Sequence, residues 1–234
     1  MSILGNRVVR KEDPALLTTG GTYVDDITVD DALHVVFVRS MAAHGEIASI
    51  DTAEARAADG VVDVVTSADL TIGDIKPFML IDQTITRPVL ARDRVRYVGE
   101  PIVAVVAESR TAAVDAAELV IVDIDPLPAV IDPRDALADD AVHLFPHLST
   151  NVAMHSDHHG EPISFDDCDV VVTQTTMNQR LAPAPIENRS AIAWWEDGRL
   201  VLELGCQGTH PVRATVSEIY GLEHDLSLIH ISEP

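Results

Sequence analysis

The sequence predicts an α+β fold in two parts. Residues 46–66 and 102–124 each change from strand to helix and back to strand, and residues 191–220 run from two strands into a helix. The composition is 47% hydrophobic but only 4% aromatic, so the core must be built mainly from small aliphatic side chains. Such side chains pack in thin, close layers of sheet and helix, which agrees with the strand and helix pattern.

The first part of the chain holds the first strand–helix–strand run. A continuous apolar run at residues 32–39 is rich in β-branched side chains and predicts a buried strand. The acidic and hydroxyl residues at 51–54 predict a capped helix start, and Gly60 predicts its end. The expected elements in order are a polar lead-in with a short strand at 20–27, strands at 32–39 and 46–50, a helix at 53–58 and a strand at 61–66.

The second strand–helix–strand run follows an irregular excursion at residues 67–94. Ser109 is the expected N-cap of its helix. Several prolines after residue 125 then break the pattern, and residues 132–138 predict one or two helical turns. The expected elements are a strand at 102–107, a helix at 111–118 and a strand at 119–124.

The remaining residues predict a linker and a second unit. Histidine, glycine and proline are concentrated at residues 139–166, which is typical of a connecting loop. Thr209 is the expected N-cap of the last helix, and Gly221 marks its end. The expected elements after the linker are strands at 169–179, 191–195 and 199–204 and a helix at 211–220.

The charge and composition exclude several classes of function. A formal net charge of −22 would repel nucleic acid and anionic membranes. No apolar run approaches the roughly 18 residues of a membrane span, and no signal peptide is visible at the N-terminus. Cys168 and Cys206 show neither disulfide nor metal-ligand spacing. We therefore expect no nucleic-acid partner, no membrane span and a cytoplasmic location.

No complete catalytic set can be assembled from the residues alone. His155, His158 and His159 could indicate a metal site, but no thiolate or carboxylate accompanies them at helical spacing, so a solvated loop is the interpretation and no protein metal ligand is predicted. Glu187 could serve as a general acid or base, although an ion pair with Arg189 at a strand end is the expected role.

The turn at residues 204–211 (LGCQGTHP) is the remaining candidate site. It places the polar side chain of Gln207 between small residues, where a strand leads into a helix N-terminus. Free backbone amides at such a point can bind an oxygen-rich ligand, and Gly208 lets it approach closely. The alternative is an ordinary strand-to-helix turn, and the spacing alone leaves both open.

Several short motifs, in a fixed order, resemble one protein family. They are similar to the molybdenum-binding large subunit of the xanthine dehydrogenase, aldehyde oxidase and aerobic carbon monoxide dehydrogenase family, from residue 1 to about residue 225. The motifs are residues 1–8 (MSILGNRV), 12–14 (EDP), 23–27 (YVDDI), 40–47 (SMAAHGEI), 87–91 (RPVLA), 95–101 (VRYVGEP), 127–130 (LPAV), 178–189, 207–210 (QGTH) and Arg213.

The resemblance implies a domain organisation. An α/β hammerhead domain with its lead-in is expected at residues 1–145, and the truncated start of a molybdopterin-binding α/β domain at residues 146–225. Residues 226–234 (LSLIHISEP) have no counterpart in the family and are similar to the translation of a sequencing adapter. We expect them to be a non-native tail that does not pack, attached to an N-terminal fragment of a longer subunit.

The resemblance also implies a chemistry for the intact parent. It would be a hydroxylase that oxidises an aldehyde, an N-heterocycle or carbon monoxide and takes oxygen from water. Molybdenum would be held by molybdopterin, in its cytosine dinucleotide form, without protein ligands. Electrons would leave through a small subunit with 2Fe–2S clusters and a medium subunit with FAD, in a dimer of heterotrimers.

Within this chain the resemblance implies a cofactor-binding role for two residues. Gln207 would hydrogen-bond an oxygen on molybdenum, and Gly208 would lie beside it. The family's catalytic glutamate comes hundreds of residues later, so no catalytic residue is expected here and the fragment should be inactive. The alternative function is a non-catalytic module that docks or assembles subunits, and the substrate stays open.

Overall fold

The structure is a computed structural model that describes residues 5, 10–11, 13–77, 81–155, 164–179, 181–185, 187–223 and 227–231. Its first part contains two three-stranded sheets, and every strand pair in them is antiparallel. The strands are β1 (His34–Arg39), β2 (Gly45–Asp51), β3 (Val61–Val65), β4 (Arg94–Val95), β5 (Pro101–Ala107) and β6 (Ile121–Pro126). The helices of the described residues are α1 (Asp13–Thr18), α2 (Ala53–Arg56), α3 (Arg110–Ala117) and, in the second part, α4 (Thr209–Tyr220).

Both predicted strand–helix–strand runs are present, but each run joins the two sheets. One sheet has the order β1–β5–β3 and the other β4–β2–β6. The run through α2 therefore leads from β2 in one sheet to β3 in the other, and the run through α3 leads from β5 to β6. Neither run forms a parallel βαβ unit. Local patterns predict the elements, whereas pairing depends on contacts between strands far apart in the chain.

The helix starts follow the predicted capping chemistry in part. The Ser109 hydroxyl accepts a hydrogen bond from the backbone N–H of Ala112 at 3.2 Å, as expected for the N-cap of α3. At α2 the N-cap residue Thr52 makes no side-chain capping bond, and the Asp51 carboxylate instead accepts from the N–H of Ala53 at 2.9 Å. α2 ends at Arg56, earlier than predicted.

The core is aliphatic, as the composition predicts. The central strand β5 supplies more of its buried cluster than any other element, three of eight residues, because β1 and β3 flank it on both sides. α3 packs against this sheet through alanines that are fully buried, so the helix approaches the strands closely. The buried cluster comprises Ala55, Val64, Ala91, Val95, Ile102, Val103, Val105 and Ala116.

Two predictions for the first part are wrong. Residues 20–27 contain a 3-10 helix at Val24–Asp26 in place of a strand, because the Asp26 carboxylate accepts from the N–H of Tyr23 at 2.9 Å and closes the turn. The strand predicted at 32–39 is present as β1 but is not fully buried. Val35 and Phe37 keep 51% and 40% of their surface exposed, since α3 lies on the other face of the sheet.

The second part is a three-stranded sheet with one helix. It contains β7 (Ala191–Glu196), β8 (Arg199–Leu204) and β9 (Ser227–Ile231), in the order β7–β8–β9. β7 and β8 form a hairpin whose turn residues Asp197 and Gly198 both have positive φ, as a two-residue hairpin turn requires. α4 returns the chain from β8 to β9, which is parallel to β8.

The structure contradicts the expectation that the C-terminal residues do not pack. The backbone of β9 pairs with β8 from Leu200 opposite Ser227 to Leu204 opposite Ile231. The edge of β8 that β7 leaves free offers unpaired backbone groups, and a strand is the way to satisfy them. Residues 226 and 232–234 lie outside the described residues, and the non-native origin of 226–234 remains a prediction.

The strand predicted at residues 169–179 is wrong for this chain. In the described residues these positions belong to no strand, and each of them is exposed. Their β-branched side chains favour an extended backbone, but a strand also needs a partner for its N–H and C=O groups.

No helix within the described residues combines the length and the apolar character needed to cross a membrane.

Candidate functional site

The candidate site lies where β8 ends and α4 begins. Gln207 is exposed in the turn, and Gly208 is the half-buried N-cap residue of α4. Thr209, which the sequence predicts as N-cap, is instead the first helical residue, and no side chain caps the helix through the N-cap position. The first N–H groups of α4 have no intrahelical acceptor and carry the positive end of the helix dipole. The turn therefore presents backbone donors beside a side-chain amide.

The backbone at Gly208 does not itself require glycine. Its φ of 172° is extended and open to any residue. A Cβ added there would meet only the ring of Pro211, at 3.6 Å, which is an ordinary contact. The missing side chain thus serves no packing need of the described chain, and it leaves the N-terminus of α4 accessible from outside.

The end of α4 follows the sequence prediction. Gly221 has a φ of 63° and terminates the helix in the left-handed conformation. Arg213 lies one turn into the helix and is half-buried. α4 therefore begins directly after the Gln207 turn and ends at Gly221.

Two side-chain contacts hold the second part against the first. Glu187 is not paired with Arg189 in the described residues; its carboxylate accepts from the buried N–H of Val24 at 3.0 Å. Lys76, in the excursion before β4, forms an ion pair with Glu218 on α4. The prediction of an ion pair for Glu187 is therefore wrong, because the chain brings a distant backbone donor closer than Arg189.

The linker after residue 138 packs against residues on both sides of β4. The guanidinium of Arg96 lies 5.0 Å from the centre of the Phe145 ring and donates to the carbonyl of Leu144 at 3.3 Å. The N–H of Asp82 donates to the carbonyl of Ala153 at 2.8 Å. Hydrogen bonds from the side chain and backbone of Thr84 lower the pKa of Asp82.

The histidine-rich linker shows no metal centre in the described part of the chain. His155 is described, whereas His158 and His159 lie outside the described residues. In the described parts of the chain, no group of three histidine, cysteine or acidic side chains could hold a metal ion. Cys168 and Cys206 are both free thiols in the structure.

Three buried polar residues were not singled out as a group by the sequence analysis. The Glu100 carboxylate, 3% exposed, accepts from the N–H of Arg96 at 2.5 Å. Ser40 is linked through its backbone to Glu100 and Gly99, and His44 Nδ1 lies 2.9 Å from the carbonyl of Pro128. These three residues fix the loops around β2, β4 and β5. In the sequence, the signal for Glu100 is an acidic residue between Gly99 and Pro101, directly before an apolar strand.

Two family models match the chain in succession. The first describes the a/b hammerhead domain of aldehyde oxidase and xanthine dehydrogenase and matches residues 18–128. The second describes a molybdopterin cofactor-binding domain and matches residues 144–230, which include the Gln207 turn. The chain therefore belongs to the aldehyde oxidase and xanthine dehydrogenase family, and the predicted fold class is confirmed.

The sequence is also similar to individual curated proteins. The chain is 38% identical over 234 residues to the nicotine 6-hydroxylase large subunit of Paenarthrobacter nicotinovorans, covering 97% of this chain and 29% of the relative. It is 33% identical over 244 residues to the carbon monoxide dehydrogenase large chain of Afipia carboxidovorans, covering 97% of this chain and 30% of the relative. The chain thus spans about three-tenths of the length of these curated relatives.

Two solved structures follow the same backbone path as this chain. Quinoline 2-oxidoreductase from Pseudomonas putida 86 matches with a TM-score of 0.87 and 32% identity, over 99% of this chain and 30% of that chain. Carbon monoxide dehydrogenase from Oligotropha carboxidovorans matches with a TM-score of 0.82 and 30% identity, over 98% of this chain and 30% of that chain.

Proposed function

We propose that this chain forms part of the molybdopterin-binding large subunit of a molybdenum hydroxylase. The whole enzyme would oxidise an aldehyde, an N-heterocycle or carbon monoxide and take the oxygen from water. The observation that carries the proposal is the turn from β8 to α4, in which an exposed amide side chain stands before a free helix N-terminus inside the matched cofactor-binding region.

The residues of this turn fit a large, oxygen-rich cofactor. Molybdopterin carries phosphate, which the free N–H groups at the start of α4 can bind. Gly208 leaves room for a close approach, since a Cβ there would meet only Pro211. The Gln207 amide can donate one hydrogen bond to an oxygen atom of the cofactor and accept another at its carbonyl. In this proposal Gln207 and Gly208 are the cofactor-binding residues of the chain.

The cofactor, when bound, supplies the redox chemistry, and the residues of this chain position it. Gln207 orients it through a directional hydrogen bond, and α4 adds the field of its N-terminus. The contacts of Glu187 and Lys76 link the second part of the chain to the first.

The proposal extends to partners and location. The relatives are named as subunits: a large subunit, a large chain and a dehydrogenase complex subunit gamma. We propose a small subunit with 2Fe–2S clusters and a medium subunit with FAD as partners, in a dimer of heterotrimers in the cytoplasm. The cytosine dinucleotide form of molybdopterin is the proposed cofactor.

The test is to express the gene with the coding region that follows this sequence in its genome, together with the neighbouring partner genes. We expect about one molybdenum per large subunit and oxidation of at least one substrate of the three classes. An assembled complex that carries iron and flavin but no molybdenum would support the non-catalytic docking module and overturn the proposal.

A further inference from the structure

We propose that residues 169–179 (DVVVTQTTMNQ) are an interior β-strand whose partner strands come from a part of the large subunit outside this chain. The inference rests on the proposed function, because it assumes that a longer subunit exists. It identifies the surface through which the 234-residue chain and the rest of the subunit would join.

The three consecutive valines near the start of this segment indicate burial on both faces. Six of its eleven residues are valine or threonine, which favour strands, and Val170, Val171 and Val172 are consecutive. A strand that is open to water on one face alternates apolar and polar residues, whereas a continuous apolar run is typical of a strand covered on both faces. In the described chain these three valines keep 77%, 56% and 83% of their surface exposed.

The backbone of the segment lacks the partners that a strand requires. Within the described residues, no strand pairing and no backbone–backbone hydrogen bond involves residues 169–179. Buried backbone N–H and C=O groups are almost always paired, so a buried position for this segment implies neighbouring strands. An interior strand has two such neighbours, one at each edge.

The partners are not found in the present chain. β7 and β9 are the edge strands of the sheet in the second part, and the segment pairs with neither of them.

The similarity to longer proteins indicates where the partners come from. The chain follows the path of quinoline 2-oxidoreductase over 99% of its length but covers only 30% of that protein. Seven-tenths of such a subunit therefore lies outside these residues and is available to supply strands on either side of the segment. A second copy of the chain would instead have to provide two strands from sheets that are already formed.

The first measurement uses the 234-residue chain. Hydrogen exchange followed by mass spectrometry should show the amides of 169–179 exchanging at the rate of an unstructured peptide, while those of β5 are protected by at least about 100-fold. Val171→Asp should leave the melting temperature unchanged, as should the β-branched control Val171→Thr. A lower melting temperature for Val171→Asp, or a dimer that Val171→Asp dissociates, would overturn the proposal.

The second measurement uses the longer subunit expressed from the extended gene. There the amides of 169–179 should be protected by at least about 100-fold relative to the 234-residue chain. Val171→Asp should reduce the yield of folded subunit at least tenfold, whereas Val171→Thr should not. Free exchange of this segment in the longer subunit would overturn the inference even if molybdenum is bound, whereas protection without molybdenum would overturn only the proposed function.

Discussion

At the scale of single residues, Gln207 is the side chain with the most direct expected effect on activity. A hydrogen bond to a charged group contributes about 1.5–3 kcal/mol, and about 1.4 kcal/mol corresponds to a tenfold change in rate. If the bond strengthens in the transition state, Gln207→Ala in the longer, cofactor-loaded subunit should lower turnover per bound molybdenum by about 10- to 100-fold. Cofactor content should change little.

The control for this substitution is Gln83→Ala. Gln83 is also exposed, but its amide donates to the carbonyl of Ile81 in the excursion before β4, and its loss should leave turnover unchanged. If Gln207→Ala lowers the melting temperature and leaves turnover per molybdenum intact, Gln207 only closes the turn between β8 and α4.

Glu100 tests the buried polar group of the first part. Removal of its carboxylate leaves the partly buried N–H of Arg96 without its acceptor, a loss that costs up to about 1–3 kcal/mol. Glu100→Ala should therefore lower the free energy of unfolding by about that amount, measured by urea titration. Glu100→Gln retains an acceptor oxygen and should cost less. The exposed Glu108 provides a matched control, and an equal effect of Glu108→Ala would contradict the assignment.

The interaction between Asp132 and Arg134 makes the stability of the fold depend on pH at acidic values. Hydrogen bonds from the side chain and then the backbone of Arg134 lower the pKa of Asp132 from 3.8 to about 2. Because the folded-state pKa is the lower one, this pair stabilises the fold above pH 3.8, and the contribution is lost as the pH falls through about 2. We expect an NMR titration midpoint near 2 for Asp132 and a return towards 3.8 in Arg134→Ala. A wild-type midpoint of 3.8 would refute the pairing.

At the scale of elements, the sequence predicts those helix and strand boundaries that depend on contacts between residues close together in the chain. The start of α3 at Ser109, the hairpin strands β7 and β8 and the end of α4 at Gly221 were predictable because each depends on residues only a few positions apart. The bond from Val24 to Glu187 was not predictable, since it joins residues 163 positions apart. The same limit applies to the candidate site: the sequence indicates the turn at Gln207, but not the contacts of Glu187 and Glu218 that link the second part to the first.

The pairing of β9 with β8 predicts that the C-terminal residues contribute to the stability of the chain. Its backbone pairs with β8 over five residues, and a backbone hydrogen bond contributes about 0.5–1.5 kcal/mol net. A chain that ends at residue 223 should therefore be less stable than the full chain by at least about 1 kcal/mol and should melt at a lower temperature. A chain that ends at residue 231 retains β9 and serves as the control. Equal melting temperatures for all three chains would restore the expectation of a tail that does not pack.

At the scale of the whole molecule, the first part should fold without the second. Its two sheets and its buried core lie entirely between β1 and β6. A domain of about 145 residues removes roughly two-thirds of its extended-chain surface from water. Residues 1–145 should therefore show a cooperative thermal transition by circular dichroism, and its absence would contradict the predicted domain boundary.

The position of that boundary can be tested as well. The side-chain amide of Asn151 donates to the carbonyls of Ala136 and Val142, both at 3.1 Å, and so ties the linker to residues before 145. A chain of residues 1–155 should melt at a higher temperature than residues 1–145, and Asn151→Ala should remove most of the difference. If the two chains melt together, the linker contributes nothing to the first part.

Because the chain passes back and forth between the two sheets, the order in which the strands are synthesised on the ribosome matters. β1 and β3 are both made before β5, and neither has another partner in the described residues. Until β5 has emerged, the nascent chain exposes two apolar strands with open edges. β2 likewise waits for β4 and β6, so neither sheet closes early. Such non-local pairing folds slowly, and the nascent chain should remain prone to aggregation until β6 leaves the exit tunnel.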